Sequence, residues 1–82
     1  MPSITPINKQ KLVSTIFNFA DINYKLIQDD NEPVTWVEIL LGISLKTGLN
    51  KRIVQEVCND MIQVGWIEND EMHDTIIITL EG

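Results

Sequence analysis

Apolar positions recur at helical spacing over the first third of the chain. Between roughly Asn8 and Gln28, Leu12, Ile16, Phe19, Ala20 and Ile27 fall near one face, and Val13, Phe17 and Tyr24 widen it. This recurrence predicts an amphipathic helix with a broad apolar side. Pro6 stands just before it, and "DDNEP" closes it with turn-forming residues ahead of Pro33. A helix this long leaves room for a bend at Asp21 to Asn23. Residues 1–7 read as a flexible N-terminal segment.

The pattern then restarts twice. "PVT" is long enough only for a very short strand. Thr35-Trp36-Val37-Glu38 fits the capping-box spacing, in which the threonine oxygen accepts an exposed helical N–H and the glutamate reaches back to the cap. Trp36, Val37, Leu40, Leu41 and Ile43 supply that second helix with core surface. Gly48 ends it, because glycine enters the left-handed region without a Cβ clash. Asn50 is placed to cap a third helix. Ile53, Val54, Val57, Cys58, Met61, Ile62 and Val64 give this helix its apolar spacing, and Gly65 terminates it. Next come "WIE", the polar turn "NDEMHD" and the β-branched run "TIIITL", which together read as a hairpin.

The order helix, short strand, helix, turn, helix, hairpin predicts an α+β domain with three helices and a C-terminal β-hairpin. The stretch "ISLKTGLNKRIVQEVCNDMIQVGWIE", Ile43 to Glu68, resembles the helix-turn-helix core of winged-helix transcriptional regulators and of phage or plasmid replication proteins. Ser44 takes the small position of that motif, Thr47-Gly48-Leu49 the turn, and Val64-Gly65-Trp66-Ile67 the exit. The close match covers about a third of the chain, and the element order extends it to the remainder. The resemblance implies a winged helix whose third helix enters the DNA major groove through Lys51, Arg52, Gln55 and Asn59. Arg and Lys can donate to guanine, and Asn and Gln can read adenine. Lys46 and Thr47 would hold phosphates beside them. The same six residues also suit an ordinary solvated helix face.

Composition changes this picture. Eighty-two residues make one small domain, spanning 1–82, with a single core. Twelve Asp and Glu against six Lys and Arg give a net charge of −6, which repels nucleic acid and anionic membranes at long range. Glu56 and Asp60 share the third helix with its cations. The hairpin region carries Glu68, Asp70, Glu71, Asp74 and Glu81 without a Lys or Arg, where a DNA-contacting wing brings cations to phosphates. A second class of function therefore stands beside the first: a winged-helix interaction module whose acidic hairpin, through Asp70, Glu71 and Asp74, docks on a basic protein or imitates DNA. A homodimer through the wide apolar face of the first helix would add DNA contacts; core packing is the competing use of that face.

Catalysis finds no support in the residues. Histidine and cysteine occur once each, and no phosphate loop or nucleophile motif is present. The expectation is a non-enzyme with no cofactor and no metal. Cys58 falls among apolar residues as a small buried side chain, and His73 sits in a solvated turn where carboxylates alone make a poor metal site. One cysteine excludes an internal disulfide and suits a reducing cytoplasm. No apolar run approaches the ~20 residues of a membrane span, and the start of the chain lacks a signal-peptide core. A soluble cytoplasmic protein is expected, with double-stranded DNA or a basic protein as partner.

Overall fold

A computed structural model describes residues 6–79 of the chain. Three helices come first: α1 (Pro6–Gln28), α2 (Trp36–Thr47) and α3 (Lys51–Gln63). Two strands follow, β1 (Ile67–Asp70) and β2 (Thr75–Ile78), paired antiparallel with Ile67 opposite Ile78 and Asp70 opposite Thr75. The architecture is α+β, as the pattern of apolar positions predicts. Leu12, Ile16 and Ala20 of α1 recur every fourth residue and are fully buried. They meet Ile39 and Ile43 of α2, Val54, Val57, Cys58 and Met61 of α3, and Ile67 and Ile76 of the hairpin in one core. Most of the broad apolar face of α1 is therefore occupied within the molecule, although Phe17 and Ile22 remain exposed.

Each helix is followed within two residues by one in the left-handed region. Gly48 has φ 75° and its N–H bonds the Ser44 carbonyl. Gly65 has φ 87°; its N–H reaches Ile62 O while Trp66 N–H reaches Met61 O, the paired bonds of a Schellman ending. The end of α1 uses the same pair of bonds, Asp30 to Ile27 and Asn31 to Leu26, with Asp30 itself at φ 62°. Aspartate tolerates this conformation better than most side chains do. That third ending has no glycine to announce it.

Several expectations need correction. Helix α1 begins at Pro6, so residues 6 and 7 belong to it, and residues 1–5 lie outside the described residues. It runs through Asp21–Asn23 without interruption. The reason is Asn23, which is fully buried and bonds sideways rather than turning the chain. Its Oδ1 accepts the Val34 N–H at 2.8 Å, and its Nδ2 donates to Thr75 Oγ1 at 2.7 Å and Ile76 O at 3.0 Å. Pro33-Val34-Thr35 consequently forms no strand: Val34 is held by a side chain of α1, and the Thr75 hydroxyl donates to its carbonyl. The Trp36 N–H is taken by Asp74 O at 3.0 Å. Thr35 is the N-cap residue of α2, but its hydroxyl caps no backbone N–H and instead meets Glu38 Oε1 at 3.3 Å. The capping box is not made.

The core face of α2 also differs from expectation. Ile39 and Ile43 are buried with Trp36 and Leu40 packed against them, whereas Val37 is 69% exposed and Leu41 43%. A helix can turn only one stripe inward, and 36/39/40/43 is the stripe that meets α1 and α3. Val64, expected in the core, is the C-terminal cap residue of α3 and is 63% exposed.

Candidate nucleic-acid interface

The end of α2 and the three residues before α3, 48–50, are closely bonded. Thr47 Oγ1 donates to Ile43 O at 2.7 Å and accepts the Leu49 N–H at 3.2 Å, while Ser44 Oγ donates to Leu49 O at 2.6 Å. Gly48 supplies the reversal. Asn50 then caps α3 as its position predicts, its Oδ1 accepting the Arg52 N–H at 2.7 Å. These bonds fix where the first turn of α3 points. A helix N-terminus carries a partial positive charge, and Lys51 and Arg52 add two whole ones there.

Lys51, Arg52 and Asn59 are exposed, and Gln55 is half-buried. At 100° per residue, Lys51, Gln55 and Asn59 line one edge of the solvent face of α3. Arg52 lies between that edge and the opposite one, where Glu56 and Asp60 stand. Among the described residues the ion pairs are Lys25–Asp21 and His73–Asp70, so Lys46, Lys51 and Arg52 keep their charges unpaired. Gln55 Nε2 donates to Asn59 Oδ1 at 3.1 Å. Reading a base with either amide requires exchanging that bond, since bidentate contact uses both ends of one amide.

Thr47 departs from the expected role. Its single hydroxyl proton is committed to Ile43 O, so it builds the turn and offers no proton to a phosphate. Its place beside Lys46 is filled by a residue that sequence spacing cannot find. Lys11 and Thr15 of α1 line a depression of about 240 Å³ together with Lys46, Thr47 and Leu49. Only tertiary packing brings Lys11 to the turn. The stretch 39–55 carries three of the six Lys and Arg residues and none of the twelve acidic ones. Lys11 makes a fourth cation on the same part of the molecule.

The hairpin is electrically opposite. Glu68, Glu71 and Asp74 are exposed, and Met72 near the tip is 87% exposed. Asp70 is engaged: its Oδ2 lies 2.8 Å from His73 Nδ1 and its Oδ1 accepts the His73 N–H. Of the three carboxylates expected to dock a partner, Glu71 and Asp74 are free to do so and Asp70 holds the loop. Glu81 lies outside the described residues. His73 has Asp70 as its acidic neighbour, and among the described residues no three potential metal ligands gather.

Cys58 is fully buried, and desolvation pushes its thiol from 9.0 up to about 12. A thiol in that state is a packing group rather than a nucleophile. An open apolar groove of about 650 Å³ runs between α1 and the end of α3, lined by Val13, Val57, Met61, Val64 and Trp66 among others. It gathers no set of reactive groups. No helix among the described residues is long and apolar enough to cross a membrane. Comparison with known proteins finds no match to this chain among family models, curated proteins or solved structures.

Proposed function

We propose that the chain is a small winged-helix DNA-binding domain, a transcriptional or mobile-element regulator that presents the start of α3 to the major groove. One observation carries this reading: in a protein of net charge −6, unpaired Lys46, Lys51 and Arg52, with Lys11 beside the turn, collect around a helix N-terminus fixed by Asn50. Lys11 and Lys46 suit phosphates, while Arg52, Gln55 and Asn59 suit base edges. The hairpin takes the place of the wing, held away from the backbone by its own carboxylates.

Titration against mixed-sequence duplex DNA at two salt concentrations tests the reading. Four cations, Lys11, Lys46, Lys51 and Arg52, each offsetting about one phosphate charge whether they meet phosphate or base edge, give a slope near −3.6 in log K against log salt, or roughly a hundredfold loss between 50 and 200 mM. Changing Lys51 and Arg52 together to Ala should lower that slope by about two while the circular dichroism spectrum stays unchanged. No detectable duplex binding near 50 mM salt means that the domain does not read DNA.

A second reading has its own observation. The hairpin offers Glu68, Glu71 and Asp74 around the exposed Met72, with no cation among them. An acidic edge with an apolar tip suits docking on a basic protein, or standing in for phosphates toward a nucleic-acid-binding one. Neutralising the hairpin separates the two readings, because it strengthens duplex binding in the first and weakens the protein complex in the second.

A further inference from the structure

The outward face of α2 has no partner among the described residues. Val37, Leu41 and Leu45 are 69%, 43% and 77% exposed and follow one another every four residues, so they form a single ridge along the helix. Beside it runs a second row, Glu38, Gly42 and Lys46, all exposed. Gly42 is the anomaly. It lies inside a twelve-residue helix, has no positive φ, and a Cβ placed on it would meet nothing within 4 Å. Neither conformation nor packing among the described residues calls for glycine there, and glycine is, after proline, the residue least favoured inside a helix.

The two rows complement themselves when one copy is turned end to end against another. Around a two-fold axis near Leu41 and Gly42, Val37 of one copy meets Leu45 of the other. Leu41 settles over the bare Gly42, and Glu38 meets Lys46. The ridge 37–41–45 then fills the groove that Gly42 opens in the facing row 38–42–46, the interdigitation of fourth-residue ridges common between packed helices. Charge complementarity selects this occupant. Among the described residues neither Glu38 nor Lys46 belongs to an ion pair, and the two stand at equal distances on either side of Gly42 with opposite signs. A two-fold pairing satisfies both ends at once, as a self-complementary patch requires.

We infer that the exposed face of α2 is a homodimer interface, with two copies packed antiparallel through Val37, Leu41 and Leu45 and closed by reciprocal Glu38–Lys46 pairs. The interface expected on α1 is thus moved to α2, since most of the apolar face of α1 is used by the core. Dimerisation shares only Lys46 with the proposed DNA surface and leaves Lys11, Lys51 and Arg52 uncovered. Six residues per copy make a small contact, so the dimer should be weak and dependent on concentration.

Sedimentation velocity of the full chain, without DNA, tests this from about 10 µM to 1 mM, a range suited to weak association. The parent should shift from monomer to dimer across that range. Glu38→Lys or Lys46→Glu alone should each weaken association about tenfold or more, because both symmetric pairs become like-charged. An equimolar mixture of the two variants should recover it, since each then supplies the charge the other lacks. Gly42→Gln should abolish dimerisation without lowering the melting temperature of the monomer. A parent that stays monomeric overturns the inference and leaves the face to a different protein. A dimer indifferent to Gly42→Gln, or variants whose mixture does not recover, places the interface elsewhere. With DNA left out, none of these outcomes depends on the DNA reading.

Discussion

Replacing Asn23 by alanine should cost this domain a large share of its stability. The side chain is fully buried and joins three parts of the chain: α1, the segment before α2, and β2. Alanine leaves the Val34 N–H without its acceptor and removes donors from Thr75 Oγ1 and Ile76 O. Val34 O loses the Asn23 amide at 3.2 Å but keeps the Thr75 hydroxyl. An orphaned buried N–H costs roughly 1–3 kcal/mol, and an under-satisfied carbonyl adds about 1. With the small void left by the missing amide, the sum is about 3–4 kcal/mol. A chain of this length has about 4–12 kcal/mol in all. The melting temperature should fall by about 12–32 °C, at some 4–8 °C per kcal/mol. Urea denaturation followed by circular dichroism at 222 nm measures the loss directly. Thr75→Val alone and combined with Asn23→Ala should show coupling of about 1 kcal/mol or more, because the two side chains share one network. A fall below about 1 kcal/mol would refute the reasoning, since it means that water reaches Val34 and the network is not sealed.

Three further outcomes can be checked. Gly65→Val should destabilise by about 1–2 kcal/mol through backbone conformation alone, as a Cβ there meets no atom within 4 Å, while Asp30→Gly at the end of α1 should raise the melting temperature by a few degrees; the reverse order in thermal scans would contradict the helix endings. Cys58, its thiol raised from 9.0 to about 12, contributes stability that is complete below pH 9 and declines above it by up to 1.4 kcal/mol per pH unit; Cys58→Ala should lack that decline between pH 9 and 11, and thiol reagents should label the parent only on unfolding. Changing Glu68, Glu71 and Asp74 to Gln, Gln and Asn should tighten duplex binding most at low salt, where screening is least; if the hairpin instead docks on a basic protein, the change leaves duplex binding negligible and slows that association.

The helices and hairpin were legible because local rules settle them. Gly48, Asn50 and Gly65 each act within a few residues of themselves, so their roles could be read without the fold. The ending at Asp30 was harder, because an aspartate in the left-handed region leaves no distinctive residue behind. The tertiary links were out of reach. Asn23 falls in the stretch where the sequence leaves room for a bend, and only its burial against Val34 and Thr75 reveals a junction. Thr35-x-x-Glu38 had the right spacing for a capping box, yet neighbouring residues tied to β2 and Asp74 left the side chains to bond each other. On α2 the chain offers apolar residues on two sides, and periodicity alone could not say which side faces inward. The candidate site was half visible for the same reason: Lys51 and Arg52 follow from the turn, whereas Lys11 reaches it through packing.

The bond from Asn23 to Ile76 spans 53 residues, and it has a consequence for how the protein is made. Helix α1 packs more extensively against β2 than against any other element, so the first helix is completed by the last strand. During synthesis α1 leaves the ribosome with Leu12, Ile16 and Ala20 uncovered and Asn23 without its β2 partners. Translation at about 5–20 residues per second leaves them waiting some 3–10 s for Thr75 and Ile76. Helices α2 and α3 can cover part of that surface earlier, and Val34 can meet the Asn23 amide once it has emerged, but the bonds to Thr75 and Ile76 wait for the hairpin. Nascent chains stalled before residue 75 should therefore hold an apolar helix open to chaperones, and release of the hairpin should close it in one step.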